Sequence, residues 1–249
     1  MIVDIIKIGF LASLIAGLAT GLGGLPVLFV KSISDKLMDV MLGFAAGIML
    51  AASFFSLLTP AILLGGISPT ISGFIVGVAA LHLIDRYVPH AHIIFGLEGP
   101  PSKLTWISLL ILAMVIHNFP EGLAVGVSFG GGKISTGITV AVAIALQNIP
   151  EGSAVAFPLV SAGFKRLKAF TYATLTGLIE PVGGLIGVSI VTLAQPILPF
   201  CLALAAGAMI FVVADEMIPE SHRKGHERPA TFGLVFGFIV MMLLDNLLG

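Results

Sequence analysis

Residues 104–129 read LTWISLLILAMVIHNFPEGLAVGVSF, an apolar run of 26 residues in which Glu121 is the only charged side chain. An α-helix needs about 20 apolar residues to cross the hydrocarbon core of a bilayer, so this run is long enough to span it. Charges and turn residues divide the whole chain into eight such stretches, at about 5–30, 37–58, 70–87, 104–129, 134–162, 168–193, 197–217 and 230–248. The pattern predicts an all-α, polytopic membrane protein with eight transmembrane helices embedded in a lipid bilayer.

The overall composition supports this fold class. The 249 residues are 57% hydrophobic and 10% charged, whereas a soluble domain has about 25% charged residues. A net charge of -1 and a single cysteine, Cys201, exclude a nucleic-acid binder and a disulfide scaffold. The apolar run from Ile8 to Val30 is longer than the roughly 7–15 residues of a signal-peptide core. We therefore expect it to be retained as the first span.

The basic residues indicate an orientation. Ten of the twelve Lys and Arg side chains lie in or beside the loops after helices 1, 3, 5 and 7, which leaves only Lys7 and Lys133 for the other side. Because cytoplasmic loops are enriched in Lys and Arg, these four loops are expected in the cytoplasm. The prediction is a multi-pass protein of the cell membrane with both termini outside.

The chain also repeats itself. Several small residues of helices 1–3 recur in helices 6–8 at a constant offset of 160, including Gly17 with Gly177, Ala45 with Ala205 and Gly73 with Gly233. Matching helices are five positions apart in the order of helices, so the two copies would enter the membrane in opposite directions. This predicts a 3+2+3 arrangement within one transmembrane domain, with the three parts at 1–87, 104–162 and 168–249. Inverted repeats of this kind are typical of transporters that hold their substrate near the middle of the membrane.

Two similar motifs lie inside helices 4 and 5. Residues 117–122 read HNFPEG and residues 147–152 read QNIPEG, and each motif starts 13 residues into its predicted helix. The first and fifth residues of each motif share a helix face. Helix 6 adds Glu180 at a similar depth, followed by Pro181. Three ionised glutamates in hydrocarbon would be costly and would repel one another, so they must be protonated or held by a cation.

The chemistry of these side chains favours a divalent transition metal. One imidazole, several carboxylates and neutral amide oxygens suit zinc, and they also suit iron or manganese. Thiolates are missing from the motifs, so the ion can leave again. Two other interpretations remain open at this point: the polar residues only join helices, or they relay protons without a metal.

The chain resembles the ZIP (Zrt/Irt-like protein) family of divalent metal transporters, and within it the prokaryotic GufA-like branch. The resemblance rests on the two motifs, on Glu180-Pro181, on residues 45–60 and on residues 215–222, and it covers the whole chain. It implies uptake of Zn²⁺ toward the cytosol, with Fe²⁺, Mn²⁺, Co²⁺ and Cd²⁺ as other candidates. One or two ions would be bound as cargo, with no separate cofactor.

The resemblance also implies a ligand set. One metal would be bound by His117, Glu121, Gln147 and Glu151, and a second by Asn118, Asn148 and Glu180 together with the two bridging glutamates. Many members of the family have His in place of Gln147, and some have Asp in place of Asn148. An amide is the weaker zinc ligand, and the lost negative charge lowers the expected occupancy of the second position.

Three residues of helices 2 and 8 are further candidates. Met49 matches a family position near the metal, where its thioether would be a soft ligand, but its repeat counterpart Met209 favours ordinary core packing. Ser56, two turns further out, is expected to line the entrance. Asp245, near the outer end of helix 8, is expected to attract cations to it.

The cytoplasmic side carries the remaining candidates. Asp215 and Glu216 end helix 7, and His222 lies just beyond, so they could form an exit relay or simply a solvated helix end. His90 and His92 lie in the longest loop, at a point where the family often has a metal-binding histidine segment. Two histidines make only an exchangeable site, so a solvated loop is the alternative interpretation.

The sequence therefore predicts a secondary metal transporter and not an enzyme. We expect alternating access, in which helices 1, 4, 5 and 6 move against helices 2, 3, 7 and 8. An intramembrane metalloprotease would need a His-Glu-x-x-His pattern, which the chain lacks. A proton-conducting membrane protein would use the same carboxylates without metal dependence. Divalent ions and lipid are the expected partners, and the glycine-lined helix faces permit a homodimer.

Overall fold

A computed structural model describes residues 2–92 and 96–249, without the side chains of residues 2 and 92. Eight helices in this part of the chain are long and apolar enough to cross a bilayer, which confirms the predicted all-α, polytopic fold class. They are labelled α1 to α8 in order: Val3–Leu28, Asp35–Gly65, Ile67–Tyr87, Trp106–Gly130, Ile134–Ser161, Arg166–Leu193, Gln195–Ser221 and Glu227–Leu248. We call the side that carries the loops after α1, α3, α5 and α7 the basic face.

Helices α2 and α7 each change helix type along their length. α2 contains a π-helical segment at Ala52–Leu58, and α7 contains one at Val213–Met217. Such segments often mark functional positions in helices. The α-helical parts on either side are Asp35–Ala51 and Thr59–Gly65 in α2, and Leu198–Val212 and Ile218–Ser221 in α7.

The other irregularities lie at helix ends and in α6. α1 is α-helical over Ile2–Gly24 and ends in a 3₁₀ turn at Leu25–Leu28, while α7 begins with one at Gln195–Ile197. α6 is interrupted between Arg166–Gly177 and Glu180–Leu193. The α-helices of α4 and α5, in contrast, continue through Pro120 and Pro150.

α2 extends further than the sequence suggests. The predicted stretch ends at residue 58, but the helix runs to Gly65. Pro60 is the second residue of the α-helical part that follows the π-helical segment. Proline is tolerated in the first turn of an α-helix, where its missing N–H does not break the helical bonding pattern. At its other end, α2 begins where the Ser34 hydroxyl accepts a hydrogen bond from the Leu37 N–H.

The helices form two packed groups. α1, α4, α5 and α6 pack mainly on one another, whereas α2 packs against α8 and α3 against α7. The outer part of α2 contacts α7 and joins the second set into one group. The two groups meet along a seam where α2 lies on α5 and α4 lies on α7. The four seam helices are the most buried of the eight, and α3 and α8 are the most exposed.

Glycines bring helices of the same group into backbone contact. A Cβ on Gly47 in α2 would lie 2.0 Å from the Leu234 carbonyl oxygen in α8, and a Cβ on Gly207 in α7 would lie 2.3 Å from that of Phe74 in α3. Gly207 and Leu234 follow Gly47 and Phe74 by the same 160 residues. Two more contacts between α2 and α8 are repeated between α3 and α7 at this offset. The contact of Gly233 with Val40 corresponds to that of Gly73 with Phe200. The contact of Gly237 with Phe44 corresponds to that of Gly77 with Leu204.

A short β-hairpin occupies part of the loop between α3 and α4. Strand β1, His90–His92, pairs antiparallel with strand β2, Gly96–Glu98, and His90 lies opposite Glu98. Gly96 has a φ of 88°, a left-handed conformation that favours glycine over other residues. β1 packs against α4, so the hairpin covers the end of that helix on the basic face.

Candidate metal centre

Seven of the predicted ligands lie together in the interior, on α4, α5 and at the break in α6. We call them the central site: His117, Asn118, Glu121, Gln147, Asn148, Glu151 and Glu180. All are buried, His117 at 8% exposure, Glu151 at 5% and the other five at 0%. Polar side chains in such a position are costly unless they are paired or bind an ion, so this cluster is a candidate functional site.

The glycine that ends each motif explains how the helices approach so closely. A Cβ on Gly122 would lie 2.1 Å from the Glu180 carbonyl oxygen in α6. A Cβ on Gly152 would lie 1.9 Å from the Thr20 carbonyl oxygen in α1. The Pro-Glu-Gly ending therefore places each carboxylate one residue before a close backbone contact between two helices.

Two amides connect the carboxylates of the central site. Gln147 Nε2 donates to Glu121 and, at 2.8 Å, to Asn148 Oδ1. Asn148 Nδ2 donates to Glu180 Oε1 at 2.6 Å and to the Ala16 carbonyl of α1 at 2.8 Å. The adjacent amides of α5 thus link α4, α6 and α1 in one hydrogen-bonded chain.

Many oxygen atoms of the site remain unpaired. Within the part of the chain that the structure describes, five buried side-chain oxygens of the central site have no hydrogen-bond partner: Asn118 Oδ1, Glu121 Oε1, Gln147 Oε1, Glu151 Oε2 and Glu180 Oε2. A buried polar atom without a partner costs about 1–3 kcal/mol. Most such atoms in proteins are satisfied, so a cluster on three helices requires an explanation. A cation bound among them would satisfy several at once.

His117 contacts the opposite helix group. Its Nε2 lies 2.8 Å from Glu216 Oε1, and Glu216 belongs to the π-helical segment of α7. This contact crosses the seam and joins a predicted metal ligand to a predicted exit residue. The sequence gives no sign of it because the two residues are 99 positions apart.

The methionine candidate keeps both of its interpretations. Met49 is fully buried in α2, in the same apolar cluster as Met209. The thioether role stays a prediction, since core packing accounts for the burial of both side chains.

The two entrance candidates are in direct contact. The Ser56 hydroxyl donates to Asp245 Oδ1, which joins the π-helical segment of α2 to α8. Ser56 also lines a cavity of about 290 Å³ together with Lys133 and Leu198. This cavity opens on the side opposite the basic face, where an entrance is predicted.

The three exit candidates do not lie in one cluster. Asp215 is exposed on α7, whereas Glu216 is buried at His117. His222 lies beyond the end of α7, with Nδ1 2.9 Å from the Ile218 carbonyl and Nε2 3.0 Å from the Thr231 hydroxyl. These contacts hold the turn between α7 and α8.

A second group of metal-ligating atoms forms at the hairpin. Asp85, His90 and Glu98, the hairpin site, each offer a ligand atom within 4.8 Å of the other two. His90 Nε2 lies 2.9 Å from Asp85 and 3.6 Å from Glu98, and its Nδ1 lies 2.8 Å from the Val88 carbonyl. With Nδ1–H donating to that carbonyl, Nε2 faces the two carboxylates, as a metal ligand would.

Charge repulsion and burial act together on the hairpin site. Partial burial raises the pKa of Glu98, and the nearby charge of Asp85 raises the pKa further. The side chain of His92, the other predicted ligand of this loop, lies outside the described residues. Asp85 takes its place in the cluster, and the only sequence signal for it was its match with Asp245 in the repeat.

Comparison with known proteins gives a consistent family. A sequence model described as "ZIP Zinc transporter" matches residues 101–245. The chain is 44% identical to the zinc transporter GufA of Myxococcus xanthus, over 97% of this chain and 99% of that protein. It is 44% identical to the zinc transporter ZIPB of Bordetella bronchiseptica over 93% of this chain and 78% of that protein. The human zinc transporter ZIP11 is 36% identical over 92% of this chain and 94% of that protein.

Proposed function

The chain belongs to the ZIP family of zinc transporters and takes up divalent metal, and we propose that the ion, zinc first, crosses the membrane through the central site. The relatives are named as zinc transporters, which favours transport over catalysis. The observation that carries the proposal is the set of five unpaired, fully buried oxygens on α4, α5 and α6. Carboxylate and amide oxygens without donors, together with one imidazole, form a donor set that suits a divalent transition metal.

The proposed ligands fall into two positions. His117, Glu121, Gln147 and Glu151 bind one ion, and Asn118, Asn148 and Glu180 share the two glutamates around a second. Glu121 and Glu180 each have one oxygen held by an amide N–H and one free, so each can bind an ion with the free oxygen. Rotation of the Gln147 amide would exchange its N–H donor for Oε1, which also lacks a partner.

We propose alternating access by sliding of the two helix groups along their seam. Some helical glycines of the described chain are so close to another helix that an added Cβ would lie within 2.5 Å of one of its carbonyl oxygens. In every such case, the other helix belongs to the same group as the glycine. At the seam, Gly131 instead meets the Leu198 side chain, at 3.2 Å. Close backbone packing within the groups and side-chain packing between them support movement as two rigid bodies.

The inverted repeat gives this movement a symmetric basis. The π-helical segments of α2 and α7 overlap when the chain is shifted by 160 residues, and so do the glycine contacts of α2–α8 and α3–α7. Under the same shift, Ser56 corresponds to Glu216 and Asp245 to Asp85. Each residue of the entrance pair therefore has an acidic counterpart toward the basic face, which supports equivalent gates at the two faces.

The basic face is proposed to be cytoplasmic. Ten of twelve basic residues lie there, so both termini would be outside a multi-pass protein of the cell membrane. The ion would enter past Asp245 and Ser56 and leave past Glu216, and the hairpin site would bind it weakly at the exit. The exposed apolar faces of α3 and α8 are surfaces for lipid, or for a second copy in a homodimer.

Flux through the purified protein tests the proposal. Zinc uptake into proteoliposomes should require Glu121, so Glu121→Ala should abolish it, whereas Glu227→Ala, an exposed carboxylate at the start of α8, should leave it unchanged. Unchanged zinc flux in Glu121→Ala would contradict the site. Proton flux that is independent of metal would instead support the proton-conducting interpretation.

A further inference from the structure

Thr20 in α1 is a buried hydroxyl without its usual partner. The residue is 0% exposed, and Oγ1 has no hydrogen-bond partner among the described residues. A helical Ser or Thr normally donates to the carbonyl four residues earlier. Ten others in this chain do so: Ser13, Ser53, Thr70, Ser128, Thr139, Ser161, Thr171, Thr174, Thr192 and Thr231. Thr20 differs from these, and its Oγ1 is the one fully buried hydroxyl of the described chain without a hydrogen-bond partner.

The reason is that its acceptor is already used. The carbonyl four residues before Thr20 belongs to Ala16, and it accepts the Asn148 amide N–H at 2.8 Å. As part of the α-helix Ile2–Gly24, the same carbonyl also accepts the backbone N–H of Thr20. A carbonyl oxygen has two lone pairs, so Asn148 has displaced the hydroxyl.

The displacing atom is also the one that faces Glu180. Asn148 Nδ2 donates to Ala16 and, at 2.6 Å, to Glu180 Oε1. An ion between Asn148 and Glu180 needs an oxygen there, so the amide must turn to present Oδ1 in place of the N–H. Because one nitrogen makes both bonds, the turn that frees Glu180 also frees the carbonyl of Ala16.

We propose that Thr20 is a positioning residue for the transported ion: its hydroxyl takes over the Ala16 carbonyl when Asn148 turns toward the metal. The inference rests on the proposed function of the central site. The exchange keeps the Ala16 carbonyl satisfied and gives the Thr20 hydroxyl an acceptor only in the ion-bound arrangement. Thr20 therefore stabilises that arrangement without touching the ion.

The test compares Zn²⁺ affinity in purified variants by calorimetric titration. Thr20→Val keeps the shape and removes the donor, so zinc should bind about fivefold more weakly, as expected for the loss of one neutral hydrogen bond. Thr20→Ser should bind as the wild type does. Thr174→Val, which loses a hydroxyl bonded to the Phe170 carbonyl in α6, should lower thermal stability without changing zinc affinity.

A double-mutant cycle separates this role from packing. Asn148→Asp keeps an oxygen ligand but has no N–H for Ala16, so Thr20 can hold that carbonyl with or without zinc. Thr20→Val should then have no effect on zinc affinity in the Asn148→Asp background. An equal loss in both backgrounds, or wild-type affinity in Thr20→Val, would overturn the inference while the central site stands. Wild-type protein that binds no zinc would overturn both.

Discussion

The central site and the hairpin site use the same side-chain chemistry at very different burial. The central site places its ligands at 0–8% exposure between three helices. The hairpin site joins the buried His90 ring to two carboxylates, of which Asp85 is 21% and Glu98 35% exposed. The ligands of the central site are shielded from water, whereas the two carboxylates of the hairpin site are partly exposed to it.

This difference in exposure is suited to a protein that must both bind and release the same ion. Shielding from water strengthens electrostatic interactions, so the central site should discriminate between ions and bind firmly. Solvent weakens the attraction at the hairpin site, so it should exchange its ion readily. Glu216 lies between the two sites. Its side chain contacts His117 across the seam, and its negative charge contributes to the raised pKa of Glu98.

The largest expected effect compares one histidine from each site. His117→Ala removes the only imidazole of the central site, and we expect zinc flux to fall roughly 100-fold, at the upper end for disrupted metal sites. His90→Ala should lower flux by only about two- to fivefold, as for a partly exposed charge interaction. Uptake of radioactive zinc into proteoliposomes measures both, and equal losses would remove the proposed distinction between the sites.

A second variant should strengthen metal binding at the central site. Gln147→His replaces an amide by a better zinc ligand, and zinc should bind roughly tenfold tighter, about 1.4 kcal/mol. Release should become slower, so that maximal flux falls while the half-saturating zinc concentration drops. Flux kinetics over a range of zinc concentrations give both values. If Gln147→His changed neither, Gln147 would not be a ligand.

The smallest expected effect is a pH dependence at the hairpin site. Glu98 binds a cation only when it is deprotonated, and its raised pKa brings protonation in at a higher pH than for an ordinary glutamate. Binding at the hairpin site should therefore weaken as the pH falls, and the loss should begin above the ordinary glutamate pKa of about 4.3. Zinc titrations of wild type and Glu98→Gln test this. A Glu98→Gln variant that keeps the full pH dependence would assign it to another group.

Much of the fold follows from the sequence because the bilayer imposes simple rules. Seven of the eight spans begin and end within about four residues of the apolar stretches. The exception is the outer end of α2, which continues seven residues beyond the predicted stretch, to Gly65. The π-helical segments and the break before Glu180 could not be predicted, since they depend on tertiary packing and leave no apolar periodicity of their own.

The site was predictable to a similar extent. The two motifs and Glu180 identify the central residues because glutamates inside apolar helices have few structural explanations. The contact of Glu216 with His117 and the role of Asp85 beside His90 depend on how separate helices and the hairpin pack. Sequence spacing carries no information about such contacts. Likewise, the unpaired Thr20 hydroxyl becomes visible only when the Ala16 carbonyl is known to bond Asn148.

Anomalous scattering at the zinc absorption edge would locate zinc directly in crystals of the protein. We expect the strongest peak within coordination distance of Glu121, Gln147 and Glu151, and a weaker, more easily exchanged peak at Asp85, His90 and Glu98. A strong peak at the hairpin with none among the central carboxylates would contradict this expectation.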